Sequence, residues 1–167
     1  MPISIHEKEQ IELMKRDVAS WLSENRFTIF GTLTYRNPQH IRRHKAHRDA
    51  AHYMRLLSIK VLGREVVDRQ NTYLPSLTFV EQGKQRDNTH IHFFIKGYTL
   101  QNEKDISYYS YRIWDRQYID NANNVVLKAQ YEGQRLTYGL KEQHALDDEI
   151  ISPKACFIPT KQNIGIY

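Results

Sequence analysis

Two short apolar segments separated by a polar turn constrain the fold more than any other feature. The segments run from Tyr73 to Gln82 and from His90 to Gly97, and both are rich in β-branched and aromatic residues. The link between them, residues 83–89, contains glycine, aspartate and asparagine, which are typical of turns. We therefore predict a β-hairpin, and the rest of the chain has to supply the layers that cover it.

Histidines alternate with apolar residues on the second strand of this hairpin. Because successive side chains on a strand point to opposite faces, His90 and His92 share one face while Ile91 faces a core. Glu81 lies on the partner strand, just across the hairpin. Two imidazoles and one carboxylate on the same surface form a three-ligand metal site with open positions. An unliganded histidine pair is the alternative, since such pairs also occur by chance.

Helical and strand patterns alternate along the remaining chain. A capping box at Ser4–Glu7 starts the first helix. Helical periodicity predicts further helices over 40–62, 105–118 and 133–144. Segments rich in β-branched and aromatic residues predict further strands over 27–35 and 124–131. The middle of this order is the ferredoxin-like β-α-β-β-α-β arrangement, an antiparallel sheet with helices on one face. We expect an α+β fold with an added N-terminal helix and a C-terminal helix that bears a tyrosine.

Length and composition limit the class of protein. A chain of 167 residues fits one domain with a single core, which we predict over 1–167. No apolar run has membrane-spanning length, and Met1–Glu12 lacks the apolar centre of a secretory signal. We therefore expect a cytoplasmic protein with no membrane partner. The single cysteine, Cys156, excludes an intramolecular disulfide and a cysteine-based zinc site, and is expected to be a small buried residue.

Positive charge is concentrated in the sequence HIRRHKAHR, called here the basic segment (residues 40–48). The whole chain carries a net charge of +5, a modest excess that suits a polyanionic partner. Such residues most often form a solvated helix surface; Arg42, Arg43, Lys45 and Arg48 are predicted to contact DNA phosphates if the rest of the site calls for a nucleic acid. The three histidines of this segment are assigned to the same basic surface rather than to a metal site.

A tyrosine and a lysine lie three residues apart in Leu136-Thr-Tyr138-Gly-Leu-Lys141. On a helix, residues at this spacing are neighbours on one face. A tyrosine hydroxyl can attack a phosphodiester, and an ammonium group beside it can stabilise phosphate charge. The chain has eleven tyrosines, so this motif predicts little without the others.

Three motifs in chain order resemble those of the HUH endonuclease superfamily. Phe30-Gly-Thr32-Leu-Thr34-Tyr35 is similar to its first rolling-circle initiator motif, His90-Ile91-His92 to the second and Tyr138-Gly-Leu-Lys141 to the third. Together they span most of the chain. The resemblance is to the single-tyrosine replication initiators of small phages, viruses and plasmids.

The resemblance implies a nickase that acts on single-stranded or hairpin DNA at a replication origin. Mg²⁺ or Mn²⁺ would be held by His90, His92 and a third ligand, for which Glu81 matches best. Tyr138 would attack the scissile phosphate, leaving a 5′-phosphotyrosine and a free 3′-hydroxyl, and Lys141 would assist. The chain has no Walker-type loop, so a host helicase and polymerase would be partners. It has no second tyrosine in the Tyr-x-x-x-Tyr form, so rejoining would need a homodimer or a second pass.

Two rival functions stay open on the sequence alone. A single-strand transposase of the same superfamily would use the same chemistry. A ferredoxin-like nucleic-acid-binding module without catalysis would instead need exposed aromatic residues on the central strands. The aromatic cluster of a later helix could stack bases, but its spacing predicts that Tyr111 and Trp114 are core and that Tyr108 or Tyr109 is exposed.

Overall fold

Helices and strands alternate through the part of the chain that the computed structural model describes, residues 4–25, 27–82, 88–97, 99–117, 125–129 and 151–157. In chain order the elements are α1 (Ile5–Glu24), β1 (Ile29–Thr34), α2 (Arg43–Leu62), α3 (Arg64–Gln70), β2 (Ser76–Glu81), β3 (His90–Ile95), α4 (Leu100–Gln117) and β4 (Val125–Ala129). Short 3-10 turns lie at Pro38–His40 and Pro153–Ala155. None of the helices in these ranges has both the length and the apolar character needed to cross a bilayer.

The four strands form one sheet in the order β2-β3-β1-β4, and each neighbouring pair is antiparallel. The predicted hairpin is therefore present, and the prediction of an α+β fold with an antiparallel sheet is confirmed. The finer assignment to the ferredoxin-like arrangement stays a prediction. The register places Glu81 of β2 opposite His90 of β3. It places Thr32 of β1 opposite His92 of β3.

One side of the sheet, called here the helix face, is covered by α2 and α4. It is built from the strand residues that alternate with the histidines, and the fully buried members of β1 and β3 there are Leu33, Ile91, Phe93 and Ile95. Tyr53 of α2 and Trp114 of α4 pack against each other edge to face, with ring centroids 5.8 Å apart. This contact brings the two helices together over the centre of the sheet.

The opposite side, called here the histidine face, divides into an apolar end and a polar end. At the apolar end Phe30, Phe79 and Phe94 are buried, and Trp21 of α1 packs against this cluster through Phe27. The start of α1 has the predicted capping box: the Glu7 amide donates to Ser4 Oγ at 3.1 Å, and the Ser4 amide donates to the Glu7 carboxylate at 2.9 Å. The polar end carries the histidines.

Several helix predictions need correction. The predicted helix over 40–62 begins at Arg43, because Pro38 starts a separate 3-10 turn. The prediction that Gly63 ends this helix is confirmed, since α2 ends at Leu62 with Gly63 as its cap at a φ of 94°. Helix α3, which begins at the next residue, was not predicted. Helix α4 begins five residues before its predicted start at Asp105, where Thr99 Oγ accepts the Asn102 amide at 3.1 Å.

The solvent exposure of the aromatic residues of α4 differs in part from the prediction. Trp114 is fully buried as predicted, but Tyr111 is 51% exposed, so its assignment to the core is wrong. The buried stripe of α4 runs through Ile106, Ser110 and Ile113, and Tyr111 lies off that stripe. Tyr108 is 54% exposed, in line with the prediction that Tyr108 or Tyr109 is exposed.

The end of the described chain pairs with the outer side of β2. Ser76 and Phe157 exchange two backbone hydrogen bonds of 2.9 Å, and the Ser152 amide donates to the Thr78 carbonyl at 2.8 Å. Cys156 lies in this segment, where burial raises the pKa of its thiol. Its sulfur accepts the Thr78 amide at 3.3 Å, so the residue is a partly buried packing group, close to the predicted role.

Candidate metal centre

The polar end of the histidine face gathers Glu81, His90 and His92. Strand alternation places His90 and His92 on the same side of β3, and the register of β2 sets Glu81 directly opposite His90. The sequence therefore dictates the cluster once the hairpin pairs in this register. One ligand atom from each residue lies within 4.8 Å of the others, and this is the only such group of three in the described ranges.

A single carboxylate oxygen is the centre of the cluster. Glu81 Oε2 lies 2.6 Å from His92 Nε2 and 3.0 Å from His90 Nε2. Glu81 is 5% exposed and His92 is 2% exposed, so both polar groups are withdrawn from water. A buried carboxylate without partners would be strongly destabilising, and the His92 imidazole can donate to it through Nε2 when no metal is bound.

The outer ring nitrogen of each histidine also has a partner. Nδ1 of His90 donates to the Asn88 carbonyl at 2.9 Å, because a carbonyl can only accept. In the neutral ring the lone pair is then on Nε2, which points towards Glu81. Nδ1 of His92 lies 2.9 Å from Thr32 Oγ1, and the Phe30 ring stacks on the His92 ring at 5.5 Å and 22°.

This donor set fits a divalent cation. An ion held at about 2.1 Å in octahedral geometry places neighbouring ligand atoms about 3.0 Å apart, which is close to the spacing around Glu81 Oε2. Imidazole nitrogens and carboxylate oxygens are both ligands that divalent metal ions accept in proteins. The side chain of His90 is 13% exposed, more than that of the other two residues, so the cluster opens to solvent on that side. The Glu81–His90–His92 group can therefore hold a metal ion.

The basic segment lies beside this end of the sheet. The hydroxyl of Thr89, the residue before His90, donates a hydrogen bond of 2.8 Å to the carbonyl of Ile41, which belongs to the basic segment. Of the predicted phosphate contacts, Arg42 and Arg48 are exposed, and neither forms an ion pair with any residue described.

The other two cations of the basic segment are less accessible. Lys45 is paired with Asp49 at 2.5 Å, and the Tyr35 hydroxyl donates to the same carboxylate. Arg43 is partly buried. The exposed cationic surface is therefore narrower than the four residues of the prediction.

Tyr138 and Lys141 lie outside the described residues, as does the predicted helix over 133–144. The sequence reasoning also missed Thr32, Phe30 and the Asn88 carbonyl as groups around the histidines. Pairing the strand that holds Phe30 and Thr32 against the histidine strand would have placed Thr32 beside His92.

Comparisons of the chain with protein-family models, with curated proteins and with solved structures found no match. The function is therefore inferred from the geometry of the cluster and from the order of the motifs along the chain.

Proposed function

We propose that this protein is a metal-dependent endonuclease of the HUH kind that nicks single-stranded DNA and keeps the new 5′ end on Tyr138. The observation that carries the proposal is the buried cluster of Glu81, His90 and His92. It joins the strand that bears the His-hydrophobic-His motif to the partner strand, and the two Nε2 atoms lie 2.6 and 3.0 Å from one carboxylate oxygen. Mg²⁺ or Mn²⁺ is the proposed ion, since a carboxylate ligand suits both.

In this proposal the chain's residues prepare one phosphodiester for attack. The bound ion supplies Lewis acidity towards a phosphate oxygen. The Tyr138 oxygen forms a bond to phosphorus while the bond from phosphorus to the 3′-oxygen breaks. The phenolic proton is lost, and the released 3′-oxygen takes up a proton, so the energy of the broken ester is kept in the phosphotyrosine. Lys141 stabilises the phosphate charge, and losing it should slow cleavage by roughly 10²–10³-fold.

The described residues before and after the tyrosine motif lie at the two edges of the sheet. Ala129 ends β4 at one edge, and Ile151 pairs with Phe79 on the other edge, level with His92. The helix face is already covered by α2 and α4, whereas the polar end of the histidine face presents the cluster.

The surroundings of the cluster favour this function over a binding module without catalysis. Such a module would stack bases on exposed aromatic residues of the central strands. Here the aromatic residues of the histidine face, Phe30, Phe79 and Phe94, are at most 6% exposed, and they pack on one another. Single-stranded or hairpin DNA is the proposed partner, approached from the side of Arg42 and Arg48. Roles for an origin, a host helicase and polymerase, and a homodimer belong to the same proposal.

An oligonucleotide nicking assay tests the proposal. End-labelled single strands and hairpins of varied sequence are incubated with the protein and Mn²⁺, and the products are separated on denaturing gels. Cleavage with a protein–DNA adduct is expected, and EDTA should abolish both. Tyr138→Phe should remove cleavage and adduct while leaving DNA binding intact. Tyr131→Phe is the matched control, because Tyr131, at the end of the predicted strand 124–131, is the alternative nucleophile. An adduct that persists in Tyr138→Phe, or maps to Tyr131, would exclude Tyr138 as the nucleophile.

A further inference from the structure

Thr32 makes the contact that sets the orientation of the most buried histidine. We infer that Thr32 is a positioning residue for the metal centre: its hydroxyl holds the His92 ring so that Nε2 is offered to the ion. This inference rests on the metal site of the proposed function. It also assigns a role to the motif around Phe30 and Thr32, for which the resemblance implies no specific role.

The register of the sheet makes this contact specific. Thr32 on β1 lies directly opposite His92 on β3, and opposite residues of an antiparallel pair project to the same face. The two side chains meet with 2.9 Å between Thr32 Oγ1 and His92 Nδ1. On the far side of the same ring, Nε2 lies 2.6 Å from Glu81. The imidazole is thus held through both nitrogens along one line from β1 to β2.

The chemistry of ligation decides which nitrogen carries the proton. A histidine that binds a metal through Nε2 is neutral and keeps its proton on Nδ1, where a fixed acceptor sets the tautomer and the ring orientation. When a metal is bound, Thr32 Oγ1, which lies 2.9 Å from His92 Nδ1, would be that acceptor. For His90 the acceptor is the Asn88 carbonyl, which no side-chain substitution removes. Thr32 is therefore the position at which this orienting effect can be tested by mutation.

Stacking completes the constraint on His92. The Phe30 ring lies nearly parallel to the imidazole, which limits rotation out of the plane, while the Thr32 hydroxyl limits rotation within it. Both residues come from the same side of β1, two positions apart. The alternating residues of this strand therefore shape the metal ligand that faces them.

Metal titration of matched variants tests the inference. Mn²⁺ binding is measured by calorimetry on the wild-type chain, Thr32→Val, Thr32→Ser and Thr28→Val. Valine keeps the shape of threonine but removes the acceptor, so Thr32→Val should weaken Mn²⁺ binding by roughly 10–100-fold. Thr32→Ser should restore it to within a few-fold of wild type. Thr28→Val is the control, since Thr28 Oγ1 accepts the Gly97 amide at 3.0 Å, away from the cluster.

A spectroscopic readout separates positioning from simple loss of structure. Long-range ¹H–¹⁵N spectra report which ring nitrogen carries the proton, and Thr32→Val should change the His92 signal while Thr28→Val leaves it alone. Equal Mn²⁺ affinity in Thr32→Val and wild type, or a failure of Thr32→Ser to restore it, would overturn the inference. A wild-type chain that binds Mn²⁺ but never cuts DNA would instead refute the proposed function and leave the role of Thr32 standing.

Discussion

The two faces of the sheet are made by the same strands but meet different demands. On the helix face, β3 contributes Ile91, Phe93 and Ile95, all fully buried against α2 and α4. On the histidine face, the same strand contributes Phe94 at the apolar end and two histidines at the polar end. Along β3, one surface makes apolar contacts with the helices, whereas the other takes part in burying a carboxylate beside two imidazoles.

This difference indicates that the helix face mainly stabilises the fold, whereas the polar end of the histidine face carries the groups that could do chemistry. Well-packed apolar residues often stabilise a protein as much as, or more than, a buried charged cluster of the same volume. A cluster such as Glu81 with His90 and His92 is therefore poorly explained by folding alone, and a bound cation is a physical reason to keep it. The helix face needs no such reason, because burial of its aliphatic and aromatic side chains is itself favourable.

The largest contrast is expected between neighbouring residues on opposite faces. His92→Ala should abolish Mn²⁺ binding and DNA cleavage because it removes a metal ligand, and it should also lower stability by about 1–3 kcal/mol because the buried Glu81 loses a partner. Phe93→Ala should lose about 3–5 kcal/mol of stability, as expected for deleting a fully buried ring. Calorimetric titration and chemical denaturation of both variants measure the two effects. If His92→Ala and wild type bind Mn²⁺ equally, the metal centre is wrongly placed.

A smaller effect is expected from closing a gap in the helix face. Gly31 lies opposite Phe93, and a Cβ at position 31 would overlap the Phe93 ring. Gly31→Ala should therefore destabilise the fold by about 1–3 kcal/mol through overpacking. Gly97→Ala is the control, because its Cβ would meet the flexible side chain of Glu103. Equal urea midpoints for the two variants would show that the helix face tolerates more volume than this packing implies.

The polar end of the histidine face can be tested through its exposed cations. Replacing Arg42 and Arg48 with glutamine should weaken binding of single-stranded DNA and reduce the slope of log affinity against log salt by about 0.7 for each phosphate that the protein no longer neutralises. Lys60→Gln with Lys104→Gln removes the same charge from exposed positions elsewhere. Fluorescence anisotropy over a range of salt concentrations gives both slopes. Identical slopes for the two double variants would show that Arg42 and Arg48 form an ordinary solvated surface and do not contact DNA.

The smallest effect concerns the helix that covers the apolar end of the histidine face. Hydrogen bonds from the Ser4 backbone and side chain lower the pKa of the Glu7 carboxyl below its ordinary value. A lowered pKa in the folded state means that Glu7 stabilises the fold above its ordinary pKa and that this contribution is lost as pH falls through the lowered value. Because Glu7 is exposed, the effect should be slight. Thermal melts of Glu7→Gln should differ from wild type at neutral pH and converge in acid; a constant difference would contradict this linkage.

The sequence predicted those parts of the fold and site that depend on alternation and local capping. The hairpin, the shared side of His90 and His92 and the capping box at Ser4 follow from spacing alone, and the structure contains all three. The position of Tyr111 did not follow, because helical spacing gives a stripe but does not say which stripe meets the sheet. The contact between Thr32 and His92 depends on which strands pair and in which register, and a single strand pattern carries no such information.

The backbone hydrogen bonds between β2 and the segment Ile151–Phe157 have a consequence for behaviour at high concentration. Strand β2 is outermost on its side of the sheet, and its outward-facing amide and carbonyl groups at Ser76 and Thr78 are taken up by this segment. An outer strand with unpaired backbone groups is a template for pairing with another molecule. A chain shortened to end before Ile151 would present such a strand, so self-association and loss of solubility are expected before any loss of the metal ligands.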